Sequence, residues 1–277
     1  MAGTTDGPYD GRVMTTATPV GLAQAALPRD ITLGGWLLDP DSWTSSTGIL
    51  PSLIDTLVLC GAVMVSAVVL AVPSAAVLAH LGRARLVSAW IVNIGRAVPT
   101  FALAALLVPV SLRAGYGFEP WPIFLALTLM ALPPMYLGTY TAISGVDRGA
   151  VDAARAMGLR GHEVLLRVEL PLALNVILTG VRVAAVQVVA TEPIRAFLGG
   201  DGLGRYVRDG LGQRNTTLLV GGAMLVALLA GTVGVGLTLL QRAIEPSGVR
   251  RLRGSGPSRA SARGAGERGP GGRVTSV

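Results

Sequence analysis

Residues 56 to 82 contain no aspartate, glutamate, lysine or arginine, and such a run exceeds the ~20 residues an α-helix needs to cross ~30 Å of hydrocarbon. Inside a bilayer, backbone polar groups must be satisfied within the segment itself, so a run of this kind folds as a membrane helix. Arg83 and Arg85 close it. Four more apolar stretches cover residues 86–112, 120–144, 172–197 and 215–241, with short connections between them. Only 14% of residues are charged, against about 25% in soluble domains. The sequence therefore reads as an all-α integral membrane protein with about five transmembrane helices. The count becomes six if the 86–112 stretch, which Arg96 interrupts, forms two half-spans.

Proline adds local expectations. Pro73 should kink the first span, and the Pro133-Pro134 pair should break the third near its middle, because proline lacks the N–H that continues a helix. Residues 1–50 are expected to form an extracytoplasmic tail, irregular to about residue 29. Around Trp36 and Trp43 the tail should carry an element at the membrane surface with its indoles at headgroup level. Residues 51–245 form the transmembrane domain, and the Arg-, Gly- and Ser-rich stretch 246–277 reads as a disordered basic cytoplasmic tail. Cys60, the single cysteine, sits within an apolar run and should pack as a small hydrophobe.

The net charge of +7 does not point to nucleic acid. Arginines cluster at span edges and in the tail, as the positive-inside bias and anionic lipid would require. No GxxxxGK[ST] phosphate loop is present, so ATP chemistry would need a separate chain. The chain is read as a non-enzyme with no cofactor or metal of its own.

One polar stretch, residues 147–171, interrupts this apolar pattern. Asp152, Ala153 and Ala154 open a run of good helix formers, Gly158 interrupts it, and a second helix-like stretch runs from about His162 to Leu170-Pro171. The expected product is helix, turn, helix. With Gly158 and Val168-Glu169-Leu170-Pro171 at matching spacing, it resembles the EAA loop of bacterial ABC importer permeases. Asp152 stands there for Glu and Val168 for Ile. Two further pieces resemble the osmoprotectant branch of that family, which handles glycine betaine, carnitine and choline. They are Val98-Pro99-Thr100-Phe101-Ala102-Leu103, and Gly202-Leu203-Gly204 ahead of the last apolar stretch. All three pieces occur in family order. Asp201 and Thr191-Glu192-Pro193 depart from the branch pattern.

The resemblance implies a type I ABC importer permease bundle. Asp152, Ala153, Ala154, Gly158, Val168, Leu170 and Pro171 would couple it to a cytoplasmic ATPase that uses the ATP. A second permease subunit, identical or paralogous, would complete the pathway within the bilayer, and an extracytoplasmic solute-binding protein would deliver the solute. The bacterial cytoplasmic membrane is the implied location. With the coupling loop inside, five spans put the N-terminus outside and the C-terminus in the cytoplasm. Permeases for another small solute such as an amino acid share this loop, and a secondary transporter is the remaining alternative.

Arg96, Arg182 and Glu192 lie within apolar runs, where a lone charge costs about 2.5–3.5 kcal/mol. Together with Pro99, Thr100 and Phe101 they are the pathway candidates, although for the three charges structural ion pairing or interfacial snorkelling is the reading placed first. Glu192 is expected to pair with Arg96 or Arg182. Since aromatic residues make up only 5% of the chain, the passage is expected to be mostly apolar, with any aromatic cage for a quaternary amine in the binding protein.

Overall fold

The computed structural model describes residues 32–82, 99–117 and 120–244. Arg96, most of the 86–112 stretch's first half, the tail to residue 29 and the basic stretch after Pro246 lie outside the described residues. The described chain is helical. Two short helices, α1 (Leu33–Leu38) and α2 (Pro40–Thr44), lead into α3 (Ile49–His80). Then come α4 (Thr100–Arg113), α5 (Trp121–Ser144), α6 (Arg148–Ala156) and α7 (Gly161–Val164). A π-helical turn, Leu165–Glu169, joins α7 to α8 (Leu170–Thr191). The remainder is α9 (Ile194–Phe197), α10 (Gly204–Gly212) and α11 (Thr216–Ile244).

Among the described residues, four helical stretches are long and apolar enough to cross a membrane: Pro40–His80, Trp121–Ser144, Gly161–Phe197 and Thr216–Ile244. Thr100–Arg113 is apolar but shorter, and at ~1.5 Å per residue its 14 residues fall short of the hydrocarbon thickness.

The core rests on small side chains. On α3, Leu59, Val63, Ala67, Ala71 and Ala75 recur every fourth residue and are all buried, so they form one ridge. This ridge packs with Ala126, Leu127 and Ala131 of α5 and Ala184 and Val188 of α8. Alanine-rich ridges let helix backbones approach closely where no hydrophobic force separates protein from lipid. Gly138 of α5 meets Gly180 of α8 so tightly that a Cβ on Gly138 would lie 3.0 Å from the Gly180 Cα. Cys60 is buried in the same core.

Three local expectations are corrected. α5 runs unbroken through Pro133 and Pro134, held between α3 and α8, so tertiary packing outweighs the local proline penalty. Pro171 likewise does not begin a separate element, since helix continues from Gly161 to Phe197. The π turn just before it loosens the backbone ladder where the Pro171 N–H is missing. Trp36 does not present its indole to headgroups. It is 2% exposed and packs edge-on against Tyr206, with ring centroids 5.3 Å apart, and against Leu218 of α11. Gly221 makes the room, because a Cβ there would run into the indole and Leu33. Gly221→Leu should therefore lower the stability of the purified chain by about 1–3 kcal/mol. Thermal unfolding in detergent checks this against Gly231→Leu on the same helix, where a Cβ meets nothing within 4 Å.

Candidate functional site

The stretch 147–171 folds into the helix, turn and helix that its spacing implies. The Asp147 carboxylate caps α6 by accepting from the Ala150 N–H at 3.1 Å, satisfying a donor that the first turn leaves free. Gly158 follows with φ +88°, a conformation that side chains disfavour, and it reverses the chain. The Arg160 N–H then donates to Glu163 at 2.8 Å, which starts α7.

Two faces result. Val151, Ala154 and Val164 are buried together, with Leu159 and Val168 packed against them. Asp152, Ala153, Met157 and Gly158 are exposed, Met157 at 75%. The candidate coupling residues thus divide: Ala154 and Val168 hold the two halves of the loop together, Leu170 packs against the bundle beside Ala76 and Ile143, and Asp152, Ala153 and Gly158 present an outer surface. Pro171 is exposed at the foot of α8. Asp152 and Arg155 lie 3.8 Å apart on the outer surface, both largely exposed, so their pairing contributes little to stability.

A contact missing from the sequence reading anchors the loop to the first span. His80 Nδ1, at the end of α3, lies 2.7 Å from Glu169 Oε2 in the π turn, and both side chains are largely buried. Glu169 occupies the variable position of the Val-x-Leu-Pro piece, where an acid between apolar neighbours was the available signal. The loop is therefore tied to α3 through this contact as well as to α8 through the continuous helix.

At the other end of the bundle, Glu192 is fully buried and pairs with Arg195, 3.2 Å from its Nε. This corrects the expected partners. Arg182 instead donates to Thr238 Oγ1 on α11 at 2.9 Å, and Arg96 lies outside the described residues. The second Glu192 oxygen accepts from Thr56 Oγ1 at 3.1 Å, and the same Thr56 oxygen accepts from the Leu203 N–H at 3.0 Å. Arg195 Nε also donates to the Asp201 carbonyl at 2.8 Å. One polar knot thus joins α3, the end of α8 and the glycine-rich loop. Gly202, at φ +102°, is packed into it: a Cβ would sit 2.8 Å from Thr56 Oγ1 and 2.9 Å from both Arg195 Nη2 and Glu192 Oε1. A Cβ on Gly204 would collide with the Pro193 backbone. The glycines of this loop serve close packing.

The arginines of the following helix also have local work. Arg208 pairs with Asp209 at 2.8 Å and donates to the Ala196 carbonyl at 3.0 Å, and Arg205 donates to the Thr47 carbonyl. Burial pushes the Tyr206 phenol above its ordinary pKa, with Arg205 opposing the shift. Of the remaining candidates, Pro99 caps α4, Thr100 opens it and Phe101 is half exposed. These three share neither the knot nor the coupling loop.

Comparison with known proteins agrees with this arrangement. Residues 67–249 match the family model described as the binding-protein-dependent transport system inner membrane component. A choline transport system permease protein of Bacillus subtilis is 31% identical over 186 residues, covering 67% of this chain and 83% of that protein. A carnitine transport permease protein of Listeria monocytogenes is 31% identical over 166 residues, covering 60% and 74%. Among solved structures, a chain of the MetNI methionine ABC transporter in an inward-facing conformation superposes with a TM-score of 0.63 at 21% identity, covering 72% of this chain and 96% of that one. The apolar spans, the coupling-type loop and the extent of the match lead to one assignment: this chain belongs to the binding-protein-dependent transport system inner membrane component family.

Proposed function

We propose that this permease is the membrane-spanning subunit of an ATP-driven importer for a quaternary amine osmoprotectant of the glycine betaine, choline or carnitine type. The observation that carries the reading is the coupling loop, whose Asp152, Ala153 and Gly158 surface faces outward while Val151, Ala154 and Val164 pack its two halves against each other. ATP hydrolysis belongs to a separate cytoplasmic subunit that docks on that surface. A second permease subunit completes the pathway, and an extracytoplasmic binding protein delivers the solute. The loop and the C-terminus face the cytoplasm, and the polar knot faces outward. The named solutes of the relatives support this class.

ATPase closure biases the bundle between inward-open and outward-open packings. The chain's own part in this is mechanical. A push on α6 is carried by the buried face of the loop into α8, and by Glu169 and His80 into α3.

The test is affinity capture of the detergent-solubilised chain from its native membrane, wild type beside Gly158→Asp. Wild type should retain an ATPase subunit and the variant should lose at least about tenfold of it, since an aspartate at positive φ costs on the order of 1–2 kcal/mol and adds charge to the docking surface. Correctly inserted wild type that captures no ATPase in several mild detergents would overturn the reading.

A further inference from the structure

A cavity of about 590 Å³ opens beside the polar knot, between the first turns of α3 and α5. That volume lies within the range of small-molecule sites, roughly 300–1,000 Å³. Three aromatic side chains line it, Tyr116, Trp121 and Phe124, together with Asp55, Arg195 and the apolar surface of Val58. The sequence reading placed no such cage in the membrane chain. Scarcity of aromatics overall concealed their convergence, because three of the few are gathered here within nine residues of sequence.

The ring of Trp121 is fixed in advance. Its indole N–H donates to Ser111 Oγ at 2.9 Å, and Ser111 in turn donates to the Gly117 carbonyl at 2.9 Å. With that polar edge committed, what remains of the indole to meet a ligand is its apolar ring. The electrostatics point the same way. Arg195 is matched by Glu192 behind the cavity wall, whereas among the described residues no cation stands within ion-pair distance of Asp55. Among the described residues, the lining therefore carries one negative charge without an ion-pair partner beside three aromatic side chains.

A metal ion or a primary ammonium would need several oxygen acceptors to replace its water. A quaternary ammonium has no N–H to satisfy, sheds water readily, and is held by diffuse charge against aromatic faces. We propose that this cavity is an entrance site on the permease itself for a quaternary ammonium group, with Tyr116, Trp121 and Phe124 as the cage and Asp55 as the counter-charge. The inference rests on the importer reading above and locates where its solute first meets the membrane subunit. Under the proposed orientation the cavity lies at the extracytoplasmic end of α3 and α5, where a binding protein would release its cargo.

The experiment is binding of choline to the full purified chain in detergent, followed by saturation-transfer NMR, with 3,3-dimethylbutan-1-ol as the uncharged isostere. Choline should give a saturable signal, and the isostere should bind at least about tenfold more weakly, as expected for cation–π and carboxylate attraction. Asp55→Asn and Trp121→Leu should each weaken choline about tenfold. Tyr116→Leu should also weaken it, and because Tyr116 is 64% exposed in a turn, that variant keeps the readout free of folding losses. Equal binding of choline and its isostere, variants that bind like wild type, or no saturable signal would overturn the site. Capture of the ATPase by the same preparation separates the two claims. ATPase retained without choline binding removes only the entrance site, while choline binding without ATPase removes the importer reading.

Discussion

Glu192→Ala should destabilise the folded chain by about 3–5 kcal/mol, the cost of stripping one partner from a buried ion pair. Glu192 is fully buried and Arg195 is 9% exposed, so removal leaves a guanidinium without its counter-charge in the bundle. Two further losses add to this. Thr56 loses its acceptor, and Thr56 is also the group that satisfies the Leu203 N–H. The expected readouts are a lower unfolding temperature and a broadened size-exclusion profile in detergent. Glu192→Leu combined with Arg195→Leu should recover much of the loss, because replacing both charges removes the orphan. A single variant as stable as wild type would show that water or lipid headgroups already screen the pair.

The second large effect separates two neighbouring alanines. Ala153→Arg and Ala154→Arg introduce the same side chain one residue apart on α6, yet Ala153 is exposed while Ala154 is 2% exposed against Val151 and Val164. Ala153→Arg should leave thermal stability within about 0.5 kcal/mol of wild type while abolishing ATPase capture, because the bulk and charge sit on the docking face. Ala154→Arg should separate α6 from α7 and the π turn. A charge cannot enter that apolar cluster without a partner, and protease sensitivity between α6 and α7 should rise together with loss of capture. Normal capture by Ala153→Arg would mean that the docking surface lies elsewhere.

How much of this was legible in the sequence differs by element. The Gly158 turn and the two helices it joins were, because capping and positive-φ requirements are local and leave their residues at fixed spacing. The Glu192–Arg195 pair was also within reach, since residues three apart on a helix are neighbours. The aromatic cavity was not legible, because Asp55 and Trp121 meet only once α3 and α5 are packed.

The sequence by itself determined that this chain is a helical membrane protein and roughly where its spans lie. Charge-free runs longer than the bilayer is thick leave no other fold, whatever their neighbours are. Tertiary structure decided what local propensity misjudged. Pro133, Pro134 and Pro171 stay within helices because packing and a π turn absorb their missing N–H groups. Trp36 is buried against protein because Gly221 opens a place for it. Thr56, Glu192 and Leu203 form one knot although 136 and 147 residues separate Thr56 from its partners. Contacts of that kind depend on how helices pack, and helix packing is set by side-chain shape across the whole bundle rather than by any single stretch.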